Sequence, residues 1–187
     1  MAGRRYDEER VFTTEMRVVD VDVKTFTGLV APFDRWTPIG GTYLERLVED
    51  TFAESVTRGR GRSAPLLEKH DHKRYPIGKP VEWRTESDGL YATWQVDVDS
   101  DRGREAYRLV SEGYVRGLSV GFTGSADDEL DTTGDVPRIT RRNNPLHEVS
   151  LVSVPAYEDA QITLVRTSGL HRAADPRIAA IRKELGL

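Results

Sequence analysis

The sequence has 187 residues, with 27 lysines and arginines against 31 aspartates and glutamates, and a formal net charge of −4. This length predicts one ordinary domain plus a tail, or two very small domains, and no apolar run approaches the ~20 residues that a membrane span needs. The charged N-terminus lacks the apolar segment of a signal peptide, and the absence of cysteine excludes disulfides, zinc–cysteine sites and a cysteine nucleophile.

The first part of the chain predicts short strands and one short helix. Residues 1–14 are charged and are expected to form a flexible arm. Residues 16–30 alternate apolar and polar side chains, which predicts one or two strands. A capping residue predicts a short helix over 52–58, and residues 64–67 predict a strand that leads into two histidines.

A hairpin is predicted next. Residues 78–86 and 89–98 have the composition of strands, and the Ser87-Asp88-Gly89 segment between them is a strong turn signal. Because side chains alternate along a strand, the second strand is expected to present one apolar face. The residues of that face are Leu90, Ala92, Trp94, Val96 and Val98.

The apolar period then changes from two to that of a helix. A helix is predicted from about residues 102–104 to Gly113, a glycine placed to end it. A glycine-rich strand over 115–123 and a polar, acidic loop over 124–135 follow. Three more strands are predicted over 136–141, 147–154 and 160–166, and a short amphipathic helix over 175–187.

These elements together predict the fold class. The pattern contains about eight short strands and two or three helices, without regular helical crossovers between strands. Such a pattern is typical of a mostly β protein of the α+β class, built as an antiparallel barrel or sandwich with peripheral helices.

A basic stretch over residues 58–74 is the one candidate for contact with a nucleic-acid backbone. No aromatic residues interleave with its arginines and lysines at the spacing of a base-stacking surface. We therefore interpret the stretch as a solvated loop and predict no specific nucleic-acid partner.

Ser119 lies between Gly117 and Gly121 in the strand-like segment. Gly-x-Ser-x-Gly is the nucleophile-elbow pattern of α/β-hydrolases, but that pattern needs a strand, a turn and then a helix. Here the predicted helix precedes the serine. On spacing alone, Ser119 is interpreted as a packed strand serine, with a nucleophile as the alternative.

His70 and His72 would share one face if the preceding strand continued through them, and two such imidazoles can begin a metal site. No carboxylate follows before Glu82, and Lys73 and Arg74 lie beside the pair, which opposes a divalent cation. Metal-dependent hydrolysis is therefore the weakest alternative, and no metal or other cofactor is predicted.

Glu148 begins an apolar segment, where an unpaired carboxylate would be costly. Its partner is either a nearby arginine, such as Arg141 or Arg142, or, in a functional site, an imidazole. The sequence leaves both possibilities open.

Several of these segments occur in the order found in one protein family. Over residues 16–166 the chain resembles the prohead (procapsid maturation) proteases of tailed bacteriophages, a group related to herpesvirus assemblin. The segments that carry the resemblance are Gly28–Phe33, Glu45–Phe52, Leu66–Asp71 with Pro76–Gly78, Asp88–Leu90, Arg116–Phe122, and Glu148–Val152 with Pro155-Ala156.

The resemblance implies a serine endopeptidase with a His–Ser–Glu triad on a herpesvirus-protease-like β-barrel. By motif position the base is His70, the nucleophile is Ser119 and the acid is Glu148. His72 and His147 are rival imidazoles, and His70 is preferred because the family pattern has histidine followed by aspartate. The implied protease domain covers 15–166, between the arm over 1–14 and a tail over 167–187 that contains the amphipathic helix.

The resemblance also implies the partners and the location. The substrates would be segments of the major capsid protein and of the scaffold, cut inside a phage procapsid in the bacterial host cytoplasm, with a homo-oligomer as a possible assembly and no membrane contact. The alternative is a module of the same fold that binds capsid or scaffold proteins during assembly without turnover.

Overall fold

The computed structural model describes residues 8–13, 17–18 and 24–153. Within them the chain is mostly β, with twelve strands and two α-helices. The strands are β1 (Glu8–Thr13), β2 (Arg17–Val18), β3 (Thr25–Pro32), β4 (Thr37–Ile39), β5 (Tyr43–Leu47), β6 (Leu66–Glu68), β7 (Gly78–Glu86), β8 (Gly89–Val96), β9 (Gly117–Phe122), β10 (Glu129–Asp131), β11 (Arg138–Arg141) and β12 (Leu146–Val152). The helices are α1 (Ala53–Thr57) and α2 (Asp101–Ser111), and a 3-10 turn spans Arg60–Ser63.

Eight of the described strands form one sheet in the order β1-β9-β12-β6-β7-β8-β3-β2. The sheet curls into a half-barrel, and β3 approaches β9. A smaller sheet has the order β10-β11-β5-β4. The prediction of a mostly β fold with few helices is confirmed.

The prediction of an antiparallel architecture is wrong for two strand pairs. Strand β12 runs parallel to β6 in the large sheet, and β11 runs parallel to β5 in the small one. The strands of each pair are far apart in the chain. Parallel pairing requires a long connection and leaves no turn signal comparable to that of a hairpin, so the local sequence does not reveal it.

The core lies on one face of the large sheet and includes side chains from both helices. On β8 the predicted alternation is confirmed, because four of its five predicted apolar residues are buried and belong to the core. These residues are Leu90, Ala92, Trp94 and Val96. Strands β7 and β8 form the predicted hairpin, which extends from Gly78 opposite Val96 to Glu86 opposite Gly89, with a shift of register between Pro80 and Glu82.

Helix α2 begins at Asp101, just before the predicted start, and ends ahead of Gly113, as the sequence predicts. The hydroxyl of Ser100 accepts a hydrogen bond from the Gly103 N–H at 3.1 Å, which caps the first turn. Gly103 is required here, because a Cβ would collide with the carbonyl oxygen of Asp97. Gly113 follows the last turn with a φ of 77°, in the left-handed region that glycine favours.

The described helices have five and eleven residues, and neither is long and apolar enough to cross a membrane. The strand predicted over 160–166 and the helix predicted over 175–187 lie outside the described residues.

The structure differs from the sequence predictions at three other places. Residues 8–13, predicted to lie in a flexible arm, form β1 alongside β9. The acidic loop over 124–135 contains the short edge strand β10. Strands β4 and β5 were not predicted, and they have only three and five residues.

Candidate active site

Strands β9 and β12 are buried on both faces, but the two faces differ in chemistry. Val120 lies opposite Val149, and both belong to the hydrophobic core. One position along, Ser119 lies opposite Ser150, and both are fully buried. Because side chains alternate along a strand, the two serines share the face that points away from the core.

A β-bulge brings Glu148 to the same polar face. Leu146 pairs with Phe122 on the core side, and the register shifts before Glu148 pairs with Gly121. In a regular strand, residues two apart point to the same side. The extra residue of the bulge, His147, therefore allows Leu146 to enter the core while Glu148 leaves it.

Gly121 provides the space that the Glu148 carboxylate occupies. A Cβ on Gly121 would collide with Oε1 of Glu148 and lie 3.1 Å from its carboxyl carbon. Position 121, and hence Ser119 two residues earlier, therefore points to the side of the sheet on which this carboxylate lies. Ser119 lies within a regular strand and not in a strand-to-helix turn, so the pattern is not a nucleophile elbow. The flanking glycine at position 121 instead makes room for the carboxylate of Glu148.

His70 reaches this region through a tight turn at the end of β6. The strand ends at Glu68, and Lys69 and His70 both have left-handed backbones, with φ of 51° and 57°. Such a conformation costs a non-glycine residue on the order of 1–3 kcal/mol, so surrounding contacts must hold it. The Lys69 N–H donates to the carbonyl of Leu151 at 2.9 Å, and the His70 N–H donates to Oγ of Ser150 at 3.1 Å.

The turn places the His70 imidazole on the Glu148 carboxylate. Nδ1 of His70 lies 2.6 Å from Oε1 of Glu148, and the two side chains are only 10% and 2% exposed. Oε2 of Glu148 accepts a hydrogen bond from Oγ of Ser150 at 2.7 Å. Both carboxylate oxygens are thus engaged, as burial of this group requires. A carboxylate at Nδ1 favours the tautomer that carries its proton there and leaves Nε2 as the basic nitrogen.

The two arginines considered as partners of Glu148 bind other carboxylates. Their partners are Glu45 and Asp128 for Arg141, both at 2.7 Å, and Asp50 and Glu129 for Arg142, both at 2.6 Å. The hydrogen bonds of the Arg142 guanidinium raise its pKa above the usual value, and the bond to Glu129 has a larger effect than the bond to Asp50. Of the two kinds of partner predicted for Glu148, the structure therefore shows the imidazole.

The rival histidines lie elsewhere. His72 is exposed in the turn that follows His70. Nε2 of His147 lies 2.7 Å from Oγ1 of Thr123. The metal-site alternative requires His70 and His72 to share one face of a strand. They do not, because β6 ends before both histidines. Within the described residues, no group of three or more His, Cys, Asp or Glu side chains could hold a metal ion.

Two residues that contact the site elements had no predicted role. Ser150 lies two positions from Glu148, and this spacing on a strand is a local signal that both share a face. Arg102 donates to Oε2 of Glu68 through Nε at 2.9 Å and Nη2 at 2.5 Å, and to the carbonyl of Tyr75 at 2.9 Å. Arg102 thus holds both ends of the segment that carries His70. Because it lies 34 residues from Glu68, the local sequence does not indicate this contact.

Comparisons with known proteins identify the family of the chain. The family model of caudovirus prohead serine proteases matches residues 12–174, and the chain belongs to this family. The prohead protease of Escherichia phage T5 is 32% identical over 106 residues, which cover 57% of this chain and 48% of that protein. The prohead protease of Enterobacteria phage HK97 is 25% identical over 143 residues, covering 76% and 60%.

A third relative and one solved structure extend the comparison. The capsid polyprotein of Pseudomonas phage PAJU2 is 25% identical over 161 residues, which cover 83% of this chain and 22% of that protein. The chain thus spans between about a fifth and three fifths of the length of these relatives. The capsid assembly protease of bacteriophage T4 superposes with a TM-score of 0.51 at 12% identity, over 80% of this chain and 100% of that one. At this identity the likeness concerns the fold alone.

Proposed function

We propose that the chain is a serine endopeptidase in which Ser119 is the nucleophile, His70 the general base and Glu148 the acid. The observation that carries the proposal is the 2.6 Å contact between the buried Glu148 carboxylate and Nδ1 of His70, on the side of the sheet to which position 119 points. A carboxylate that orients an imidazole beside a serine is the arrangement that nucleophilic acyl transfer requires.

In the proposed reaction, Oγ of Ser119 attacks the scissile carbonyl while Nε2 of His70 takes its proton. The resulting imidazolium is stabilised by Glu148, which also keeps the ring in the productive tautomer. His70 then returns the proton to the leaving amine. Water attacks the acyl-enzyme while His70 again acts as the base, and the proton finally returns to Oγ of Ser119. Because Ser119 has no exposed surface in this structure, substrate must displace whatever covers it before attack.

The proposed substrates are segments of the major capsid protein and of the scaffold, cut inside the procapsid in the bacterial host cytoplasm. Membership of the prohead protease family supports this assignment, as does the similarity to a capsid polyprotein. The proposal includes a homo-oligomer. It also includes a protease domain over 15–166, to whose sheet β1 contributes, and a tail over 167–187. The fold of the domain is proposed to be a herpesvirus-protease-like barrel related to assemblin. The curl of the large sheet supports the last of these.

The nucleophile is tested by co-expressing the chain with its neighbouring capsid protein and analysing the products by mass spectrometry. We expect Ser119→Ala to abolish cleavage while the circular dichroism spectrum and the melting temperature stay close to those of the parent chain. A fluorophosphonate probe, followed as a time course, should label the parent chain at Ser119. The matched control is Ser111→Ala, which removes a helix hydroxyl and should retain both activities. Cleavage by Ser119→Ala would contradict the assignment.

The base is tested in the same assay with three histidine variants. We expect His70→Ala to lose at least about 10⁴-fold in cleavage rate, because a nucleophile and its base act as a unit. His72→Ala and His147→Ala should change the rate little, since neither imidazole contacts Glu148. If the parent chain neither cleaves nor takes up the probe but binds the capsid protein, the chain is instead the non-catalytic assembly module.

A further inference from the structure

We infer that Ser150 is a positioning residue that sets the relative orientation of His70 and Glu148, an inference that rests on the proposed function. Its hydroxyl contacts both the backbone of His70 and the carboxylate of Glu148. No role in the reaction follows for Ser150 from the triad itself.

The direction of both hydrogen bonds is determined by the chemistry of the partners. The backbone N–H of His70 can only donate, so Oγ of Ser150 accepts from it at 3.1 Å. The Glu148 carboxylate can only accept, so the single hydroxyl proton of Ser150 goes to Oε2 at 2.7 Å. The hydroxyl rotor therefore has one orientation that satisfies both partners.

These contacts close a ring of hydrogen bonds that begins and ends at one residue. The His70 N–H binds Ser150, the Ser150 hydroxyl binds Oε2 of Glu148, and Oε1 of Glu148 binds Nδ1 of His70. The backbone of the base is thereby linked to its own side chain through two buried residues. The ring fixes the left-handed turn and the plane of the imidazole at the same time.

Ser150 is suited to this role because its own position is rigid. It pairs with Ser119 on one side and with Leu67 of β6 on the other, so its backbone lies inside the sheet. Its side chain is fully buried, and water therefore cannot replace a lost hydroxyl without new space. Ser150→Ala would leave the His70 N–H and Oε2 of Glu148 without this partner, and both could then reorient.

The expected consequence is a slower chemical step with unchanged substrate binding, since the Ser150 side chain is fully buried and its hydroxyl binds His70 and Glu148. A displacement of the base by about 1 Å costs up to about 10²-fold in rate. We expect Ser150→Ala to label with a fluorophosphonate probe on the order of 10- to 100-fold more slowly than the parent chain. In peptide cleavage, kcat should fall while KM stays within about twofold.

The experiment pairs this variant with Ser55→Ala as its control. Ser55 lies on α1, and its Oγ accepts a hydrogen bond from the Leu146 N–H at 2.9 Å. The control therefore removes a serine hydroxyl that binds the first residue of the same strand, β12, and makes no contact with His70 or the Glu148 carboxylate among the hydrogen bonds of the described residues. For each variant we would measure the labelling rate and the proton NMR signal of Nδ1 of His70, which is deshielded by the short contact with Glu148. We expect Ser150→Ala to lose or shift this signal and Ser55→Ala to retain it.

The outcomes separate this inference from the proposed function. A parental labelling rate and a parental Nδ1 signal in Ser150→Ala would overturn the positioning role while leaving the triad intact. If the parent chain itself fails to label, the proposed function fails, but loss of the signal in Ser150→Ala alone would still support the positioning role. If Ser150→Ala does not fold, the nearly isosteric Ser150→Cys decides by the same two measurements, because a thiol is a weaker donor and acceptor.

Discussion

The cluster around Glu148 and the cluster around Arg141 both bury charged groups, but they balance the charge differently. Arg141 lies between Glu45 and Asp128, with a guanidinium only 5% exposed, and a guanidinium stays protonated at every ordinary pH. Glu148 contacts His70, and an imidazole, unlike a guanidinium, can act as a general base and a general acid.

This difference separates a structural role from a chemical one. The guanidinium of Arg141 joins β11 to its parallel neighbour β5 and to the loop before β10, so it links elements that are far apart in the chain. The Glu148 cluster holds one imidazole against one carboxylate, and a proton can move within it without breaking the sheet. We therefore expect variants of the first cluster to change stability and variants of the second to change activity.

The largest effect on stability is expected for Arg141→Met. Removing the guanidinium takes the shared cation from the buried carboxylate of Glu45 and the partly buried one of Asp128. Breaking a buried pair in this way typically costs about 3–5 kcal/mol. The midpoint of urea unfolding should fall accordingly, while the labelling rate per folded molecule stays unchanged. Arg108→Met on the exposed face of α2 is the control and should shift the midpoint little. Equal midpoints for the two variants would remove the distinction between the clusters.

A smaller effect on stability, combined with a loss of labelling rate, is expected for Gly121→Ala. The added methyl group would meet the Glu148 carboxylate, which must move away from Nδ1 of His70. We expect the chain to fold, with a modest loss of stability, and to label up to about 10²-fold more slowly. Gly134→Ala serves as the control, because its Cβ would lie 4.0 Å from the nearest atom, the carbonyl oxygen of Val136. Parental labelling by Gly121→Ala would show that the carboxylate tolerates the displacement.

The sequence predicted local features well and long-range contacts poorly. The hairpin of β7 and β8 and the helix α2 have turn, cap and period signals within a few residues, and both were found as predicted. The parallel pairs depend on partners far along the chain, and the short strands β4, β5 and β10 have only three to five residues, too few for a clear alternation of apolar and polar side chains. The arm over 1–14 was predicted from charge alone, and its residues 8–13 instead pair with β9.

The site shows the same division between local and distant signals. His70 and Glu148 are 78 residues apart, so only a family motif could join them before the structure was known. Spacing alone favoured a packed serine at Ser119 and left the partner of Glu148 open between an arginine and an imidazole. Neither the bulge at His147 nor the left-handed turn at Lys69 has a distinctive sequence signal, yet both orient the proposed triad.

The smallest effect is expected for Glu105→Gln on α2, where charge is exposed rather than buried. The side-chain hydrogen bond from Arg108 lowers the pKa of Glu105 below its usual value of 4.5, and this effect outweighs the opposing effect of desolvation. Because the folded carboxyl binds its proton less readily than the unfolded one, its contribution to stability is present above pH 4.5 and lost as the pH falls through the lower folded value. The parent chain should therefore unfold at a slightly higher urea concentration than Glu105→Gln at neutral pH and low salt. The difference should vanish in high salt and shrink progressively as the pH falls below 4.5, because protonation removes the charge of the carboxyl. A difference that persists undiminished under both conditions would mean that Glu105 contributes through packing. The exposed pair of Glu105 and Arg108 would then no longer serve as the baseline against which the two buried clusters are compared.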